Sequence, residues 1–458
     1  MPSRQDQLHS HQFTVQRAVA ALVTRETDPA QSPFRRLAGA GLASFLVAAI
    51  LLGGFALYGL FAGGGDRWRD ETAVIVEKES GARYVYRDEK LHPVLNYASA
   101  LLVIAAERPR TVLVSRRSIT DVPRGRPLGI ADAPDSLPGP QGLSTAPWTV
   151  CSLPAADGAR TEPWSTLLIG VPPTGSGRVV DEGLLLRHPD GGLHLLWQQR
   201  RHEIRDPDLV LAALATTRAR AVPVAPALLH ALPAGADLAP PALPGVGEPA
   251  AWLPAARIGD VYLVRNTGGG RQYAVVLGDG LAGITELQAS LVLAGTGQRE
   301  PAPITLGQFA ALPKAPDLIP AGSSAPPAAS PRLAVATDGL CVGIGADGVV
   351  ADVRHGVRLP DLAVTPRSGT DAVLVDHVLV KPGGGAVVEA VATPGATGGA
   401  LCLVTDLGRR YVLAGTEVLG MLGYGDVRPL RLPAGLVSLV PAGAALDPTT
   451  AREVTVPD

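Results

Sequence analysis

Lysine is nearly missing from this chain. Four residues, Lys78, Lys90, Lys314 and Lys381, stand among 458, so arginine carries almost all of the positive charge. A phosphate-cradling loop sets a lysine directly after a glycine, where the backbone approaches the phosphates closely. Here the preceding residues are Glu77, Glu89, Pro313 and Val380, which excludes that loop. Cysteine is scarce too: Cys151, Cys341 and Cys402 lie far apart, without CxxC or a nearby histidine pair, which argues against zinc. Neither charge dominates, since 40 basic and 42 acidic side chains net to −2. Without a basic stripe, nucleic acid is not an expected partner. Aromatics make up 4% of residues, thin for a surface that stacks on sugars. Hydrolase patterns are missing as well. Gly175-Ser176-Gly177 lies in a Pro-rich loop rather than a nucleophile elbow, and His188, His194 and His202 do not form HExxH, reading instead as exposed or hairpin-face histidines. Asp206 and Asp208 read as a helix start. Gly268–Gly270 and Gly383–Gly385 each bridge β-rich runs and read as hairpin turns. No catalytic, cofactor-binding or metal-ligating residue is therefore expected, and no cofactor.

What the chain does have is glycine and proline, 53 and 42 residues, which predict many turns and short elements rather than long helices. Its length suits two or more domains. One long apolar run stands out. Residues 38–62 carry no charge and would span roughly 37 Å as a helix, enough to cross a hydrocarbon core with some tilt. Arg35 and Arg36 abut its N-terminal side, whereas 66–71 beyond it is mixed and slightly acidic, so residues 1–37 are expected in the cytoplasm and 66–458 outside. A cleaved signal peptide would have a shorter leader and a better cleavage site than Leu60-Phe61-Ala62. Within the tail, 11–25 spaces Phe13, Val15, Val19, Leu22 and Val23 near helical periodicity, with Arg17 and Arg25 among them, as in an amphipathic helix on the inner membrane surface or against a partner.

The outer part repeats. A β-rich run, a turn, a second run and a short helical stretch recur at 83–105, 183–215, 261–294 and 401–422. Two copies share a tail, 233–240 and 441–448, offset by 208 residues, while the strands at Gly183 and Gly399 are offset by 216. The predicted organisation is cytoplasmic tail 1–37, transmembrane helix 38–62, repeats at 66–107, 181–247, 248–313 and 399–458, and a discontinuous central domain from 108–180 and 314–398. Each half of that central domain holds a cysteine. An extracytoplasmic location favours oxidation, so Cys151–Cys341 is the expected bond and Cys402, in an apolar alternation, the expected free thiol. The fold class expected is α+β and β-rich: one anchor helix, then an elongated region of four small repeat domains around a disulfide-closed centre.

Before the anchor stand HQFTVQRAVAALVTRETD and SPFRR; beyond it come SGARYVYRDEKLHPVLNYASALLV, DVPRGRPLGIADAPDSLP with PWTVC, LLHALPAGADLAPPALPGVG, GDVYLVRNTGGGRQYAVVLGDGLAGI and LVPAGAALDP. Together these stretches resemble the EccB family, the membrane-anchored core components of type VII (ESX) secretion systems of actinobacteria. The resemblance implies a structural subunit at the plasma membrane, in company with an FtsK/SpoIIIE-type motor (EccC), EccD, EccE, a mycosin protease and further copies of itself. It also implies a central disulfide where Cys151 and Cys341 stand. ATP hydrolysis and, through repeats similar to a phage-lysin wall-binding module, peptidoglycan contact are the alternative functions implied. Cys402 and the second repeat depart from the family pattern.

Overall fold

The computed structural model describes all residues except 1–2, 25–32, 63–67, 156–161, 175–176, 180, 266–267, 337, 360–364, 367–372 and 454–458. It is mixed α+β and rich in strands, with four four-stranded sheets, as expected from the repeats, one seven-stranded sheet, and a two-stranded ribbon of Pro249–Ala250 and Leu253–Arg257.

Near the N-terminus stand helices Arg4–Thr24 and Pro33–Ala62. Among the described residues the second is the one helix long and apolar enough to cross a bilayer: its stretch Ala38–Phe55 has mean hydropathy 2.0 and none of it is buried. Leu42, Phe45, Ile50 and Phe55 point outward unpartnered by protein, as side chains meant for lipid would.

Each of the four modules has the same plan. Three antiparallel strands are followed by a helix and a fourth strand parallel to the first, giving the spatial order 3-2-1-4 every time. In module 1 the strands are Ala73–Glu77, Arg83–Arg87, Lys90–Pro93 and Arg110–Val114, with helix Tyr97–Ile104 between the third and fourth. Asn96 caps that helix by accepting from the Ser99 N–H, and Ala105 ends it in the left-handed conformation. Module 2 uses Leu184–Arg187, Leu193–Trp197, Arg200–Glu203 and Val222–Pro223 around helix Pro207–Ala213. Module 3 uses Val261–Arg265, Arg271–Val276, Leu281–Ile284 and Ala302–Thr305, and its helix Glu286–Thr296 opens on a Thr285/Gln288 capping box. Module 4 uses Gly385–Val391, Ala400–Thr405, Arg410–Val412 and Leu430–Pro433 around helix Glu417–Met421.

The repeats are real, but their internal alignment differs from the one read in the sequence. Runs 83–86 and 401–404 are second strands, whereas 183–186 and 261–264 are first strands. Putting Leu193 opposite Leu401 restores the offset of 208 and removes the discrepancy with 216. Likewise Arg110–Val114 and Gly385–Val391, which fall within 108–180 and 314–398, pair in the sheets of modules 1 and 4. Tight hairpins leave a local signal, but Arg110–Val114 is reached through a helix crossover and Gly385–Val391 is set apart from Ala400–Thr405, its hairpin partner, by the long turn 392–399.

The central sheet has seven strands and is built from two distant stretches. Trp148–Leu153 and Trp164–Ile169 come from the first, Leu340–Ile344 and Val350–His355 from the second, with Gly177–Arg178, Thr365–Pro366 and His377–Val380 completing it. Trp148–Leu153 and Leu340–Ile344 are buried almost throughout, so both faces are covered; the polar Thr149 and Ser152 are buried along with their apolar neighbours. One face, with Trp148, Val150, Val342 and Ile344, shares a single core with modules 2 and 4. Modules 1 and 4 share another, in which Leu101 and Leu102 meet Leu403, Val418 and Tyr424. Module 3 joins through Leu287 and Leu291, which pack against the helix of module 2.

Candidate functional site

The geometry points to joints rather than a reaction centre. The first joint is covalent. Cys151 and Cys341 stand opposite each other in adjacent antiparallel strands and form a disulfide across 190 residues of chain. It lies on the face with Leu168, Val357 and Leu379, fully buried. Cys402 is free and buried beside Val388 and Val412 in its sheet, where desolvation pushes its thiol pKa up and keeps it unreactive.

The second joint recurs in every module, and the sequence reading caught only half of it. After the fourth strand and a short helix, a Pro-x-Gly/Ala-x-x-Leu tail returns to lie parallel to the third strand: 123–128, 233–238, 313–318 and 441–446. In each, the third-strand N–H donates to the proline carbonyl, and the N–H two residues on donates back to the third strand. The pairs are Leu91 with Pro123 and Gly125, Arg201 with Pro233 and Gly235, Leu281 with Pro313 and Ala315, and Arg410 with Pro441 and Gly443, all at 2.8–3.0 Å. Leu128, Leu238 and Leu446 then enter the cores. Three tails share Pro-x-Gly; the fourth reads Pro313-Lys-Ala-Pro-Asp-Leu, which hid it.

What sits beneath the clip explains the glycine. The third-strand residue after the bonded one is His92, His202, Ala282 or Tyr411. A Cβ at Gly125, Gly235 or Gly443 would overlap the ring of His92, His202 or Tyr411. In module 3 the ring is replaced by Ala282, and there the tail carries Ala315. Both imidazoles bond the carbonyl after the glycine: His92 Nδ1–H donates to Arg126 O at 3.0 Å and His202 Nδ1–H to Ala236 O at 2.7 Å. A carbonyl only accepts, so Nδ1 carries the proton in both. His202 is thus a clip residue, buried rather than exposed on a hairpin face, and burial lowers its pKa. Burial and nearby Arg201 lower that of His194, while His188 holds Asp190 at 2.8 Å.

The third joint straps module 1 to module 4. The stretch 128–138 crosses the module 1 helix, where Ser99 Oγ accepts from the Ile130 N–H and the Asn96 side-chain amide donates to Ile130 O. Asp135 accepts from Arg83 at 2.7 Å and from the Tyr97 N–H at 3.0 Å. The strap ends where the buried Tyr424 hydroxyl donates to Pro138 O at 2.7 Å. An open cleft of about 800 Å³ lies beside it, between Tyr97, Glu107 and Arg108 on one side and Glu417, Met421 and Asp426 on the other.

Other sequence-marked residues fall as follows. Arg35 and Arg36 lie within Pro33–Ala62, and their side chains are outside the described residues. Gly175 and Ser176 are outside them too. Gly268–Gly270 lies in a hairpin, joining strands that pair directly. Gly383–Gly385 does not: it carries the chain from the central sheet into module 4, because its flanking strands belong to different sheets. Asp206 precedes helix Pro207–Ala213 and Asp208 lies in its first turn. Among the described residues no three His, Cys, Asp or Glu side chains converge as metal ligands would.

A family model described as "Type VII secretion system ESX-1, transport TM domain B" matches residues 1–456. The chain belongs to the EccB family. One relative, the ESX-2 secretion system ATPase EccB2 of Mycobacterium tuberculosis, is 31% identical over 309 residues, covering 66% of this chain and 61% of that protein. The matched stretch thus spans about three-fifths of that relative's length. The ESX-3 secretion system ATPase EccB3 of Mycolicibacterium smegmatis is 27% identical over 468 residues, 96% of this chain and 88% of that one. Among solved structures, a chain of an intact ESX-5 inner membrane complex aligns with TM-score 0.66 and 27% identity, covering 100% of this chain and 97% of that one. A chain of the EccB3 dimer from the ESX-3 core complex aligns with TM-score 0.63 and 25% identity, covering 83% of this chain and all of that one.

Proposed function

We propose that this chain is a structural core subunit of a type VII secretion machine, anchoring and assembling the membrane complex on its extracytoplasmic side. The observation that carries this reading is the way distant parts of an EccB-family chain are locked together: a buried disulfide at the centre, modules sharing cores with it, and a clip in each module. Such a body presents fixed surfaces, which is what an assembly subunit needs. The helix Pro33–Ala62 would cross the membrane. Arg35 and Arg36 at its inner end orient residues 1–37 to the cytoplasm and the outer modules to the periplasmic side. Expected partners are an EccC-type motor, EccD and EccE, a mycosin protease and further copies of the chain.

The relatives' names include the word ATPase, so nucleotide turnover is the competing reading. In this chain none of the four lysines follows a glycine, which favours assembly. Affinity capture of the full-length tagged chain from membranes should bring down the motor and EccD. Robust ATP hydrolysis by the purified chain, abolished by one point mutation, would replace this reading with the enzymatic one. Capture of wall fragments without secretion subunits would favour peptidoglycan binding instead.

A further inference from the structure

Every module ends its sheet on the fourth strand, and the four outer edges are treated differently. In module 4, Leu430–Pro433 packs against the Ala346–Gly348 turn of the central domain. In module 2 the strand is only Val222–Pro223, and the chain turns at once into helix Pro226–Ala231, which packs on the central sheet; there the Ala225 N–H donates to Ser152 Oγ at 2.8 Å. In module 3 the strand contains Pro303, which has no N–H to offer a neighbour. Module 1 has none of these protections. Arg110–Val114 is five residues long, contains no proline, and among the described residues no strand or bridge lies on its outer side.

The inward bonds fix which groups face out. The Arg110 N–H donates to Thr72 O at 3.4 Å, and Val114 O accepts from the Lys78 N–H at 2.9 Å. By alternation, Arg110, Val112 and Val114 address the sheet, while the N–H and C=O of Thr111 and Leu113 point outward. Leu113, in the same strand, is 60% exposed.

We propose that a second copy of this chain adds its own Arg110–Val114 strand here, antiparallel and centred on Val112, so that two module 1 sheets become one of eight strands. This rests on the self-association included above. The strand is self-complementary in that register. Thr111 meets Leu113 of the partner subunit, and each pair exchanges two backbone hydrogen bonds. Val112 meets Val112 of the partner subunit in a non-hydrogen-bonded pair, the closest kind. Arg110 meets Val114 of the partner subunit, so the two arginines stand at opposite ends. Leu113 lies diagonal to Leu113 of the partner subunit, close enough for the two exposed leucines to cover each other. A two-fold interface of this kind needs the same patch from both copies, and the strand supplies it.

The test uses the full-length chain in detergent. Val112→Cys should oxidise to a thiol-reversible cross-linked dimer in most of the protein, while Leu407→Cys, on an exposed turn of module 4, should cross-link at least tenfold less. Adding Leu113→Asp should weaken the dimer at least tenfold by bringing two carboxylates together, and Leu113→Pro should do the same by removing the outward N–H. A chain that is dimeric by mass but yields no Val112→Cys cross-link sinks the edge pairing and leaves self-association standing. A chain that is monomeric by mass at all accessible concentrations sinks both. A cross-link to a different protein in place of the homodimer also overturns the proposal.

Discussion

In the central sheet, strands 190 residues apart are joined by the Cys151–Cys341 bond; in each module the third strand is joined to its tail by two backbone hydrogen bonds and a packed side chain. The difference follows from loop length. Closing a long loop costs more chain entropy, and a covalent link removes that cost from folding altogether. A clip reaches back only a short way, 34 residues between His92 and Arg126 and again between His202 and Ala236, and the helix and sheet in between do the rest. Among the modules a second contrast appears. Three place a ring beneath a glycine; module 3 places Ala282 beneath Ala315. Ring and glycine therefore form one unit, and changing either alone should fail.

The largest effect is expected at the bolt. Cys151→Ser should remove stabilisation of about 5 kcal/mol in the chain-entropy treatment, an upper figure, and lower the thermal midpoint of the full-length protein. Thiol titration should find the new free cysteine at Cys341. An unchanged midpoint would show that packing, not the bond, closes the central sheet. Next come the clips. Gly235→Ala or Gly443→Ala would drive a methyl into His202 or Tyr411 and should destabilise by about 1–3 kcal/mol, measured by denaturant unfolding. Within module 3, Ala282→His should be costly alone and partly rescued by Ala315→Gly, a coupling that a double-mutant cycle would read. If the two substitutions simply add, the ring–glycine unit is disproved.

A pH effect separates module 2 from module 3, which has no histidine in its clip. Burial lowers the pKa of His202 and of His194, so between their folded values and about 6.5 the unfolded chain binds more protons than the folded one. Their contribution is present above that upper limit and is lost as pH falls through the window. The midpoint should therefore drop on acidification from pH 7 to 5, and less steeply in His202→Tyr, which borrows the module 4 solution. An equal slope in both would remove His202 from the account. The smallest effect is Ala315→Gly alone, about 0.4–1 kcal/mol through a more flexible unfolded chain.

Much of this architecture could be read from the residues. The charge-free run 38–62 reads as a bilayer-length helix because its length at helical rise matches the hydrocarbon core and it carries no charge to keep it in water. The turn-bounded hairpins betray four copies, and two lone cysteines in non-repeat stretches pair because each lies in an apolar strand of the same sheet. Two strands were another matter. Arg110–Val114 reaches its sheet across helix Tyr97–Ile104, and Gly385–Val391 is separated from its hairpin partner by the long turn 392–399, so no tight turn announces either pairing. The clip was half-visible: Pro233 and Pro441 open nearly identical tails, but Pro123 and Pro313 match them only at the positions where the backbone bonds. Those positions matter for space and hydrogen bonding rather than for side-chain chemistry, and a sequence comparison weights chemistry. Composition and hydrophobic pattern thus determined the anchor, the number of modules and the disulfide. Which strand pairs with which, which edges are covered and why a glycine lies over each ring depend on long-range contacts, and only the tertiary structure decided them.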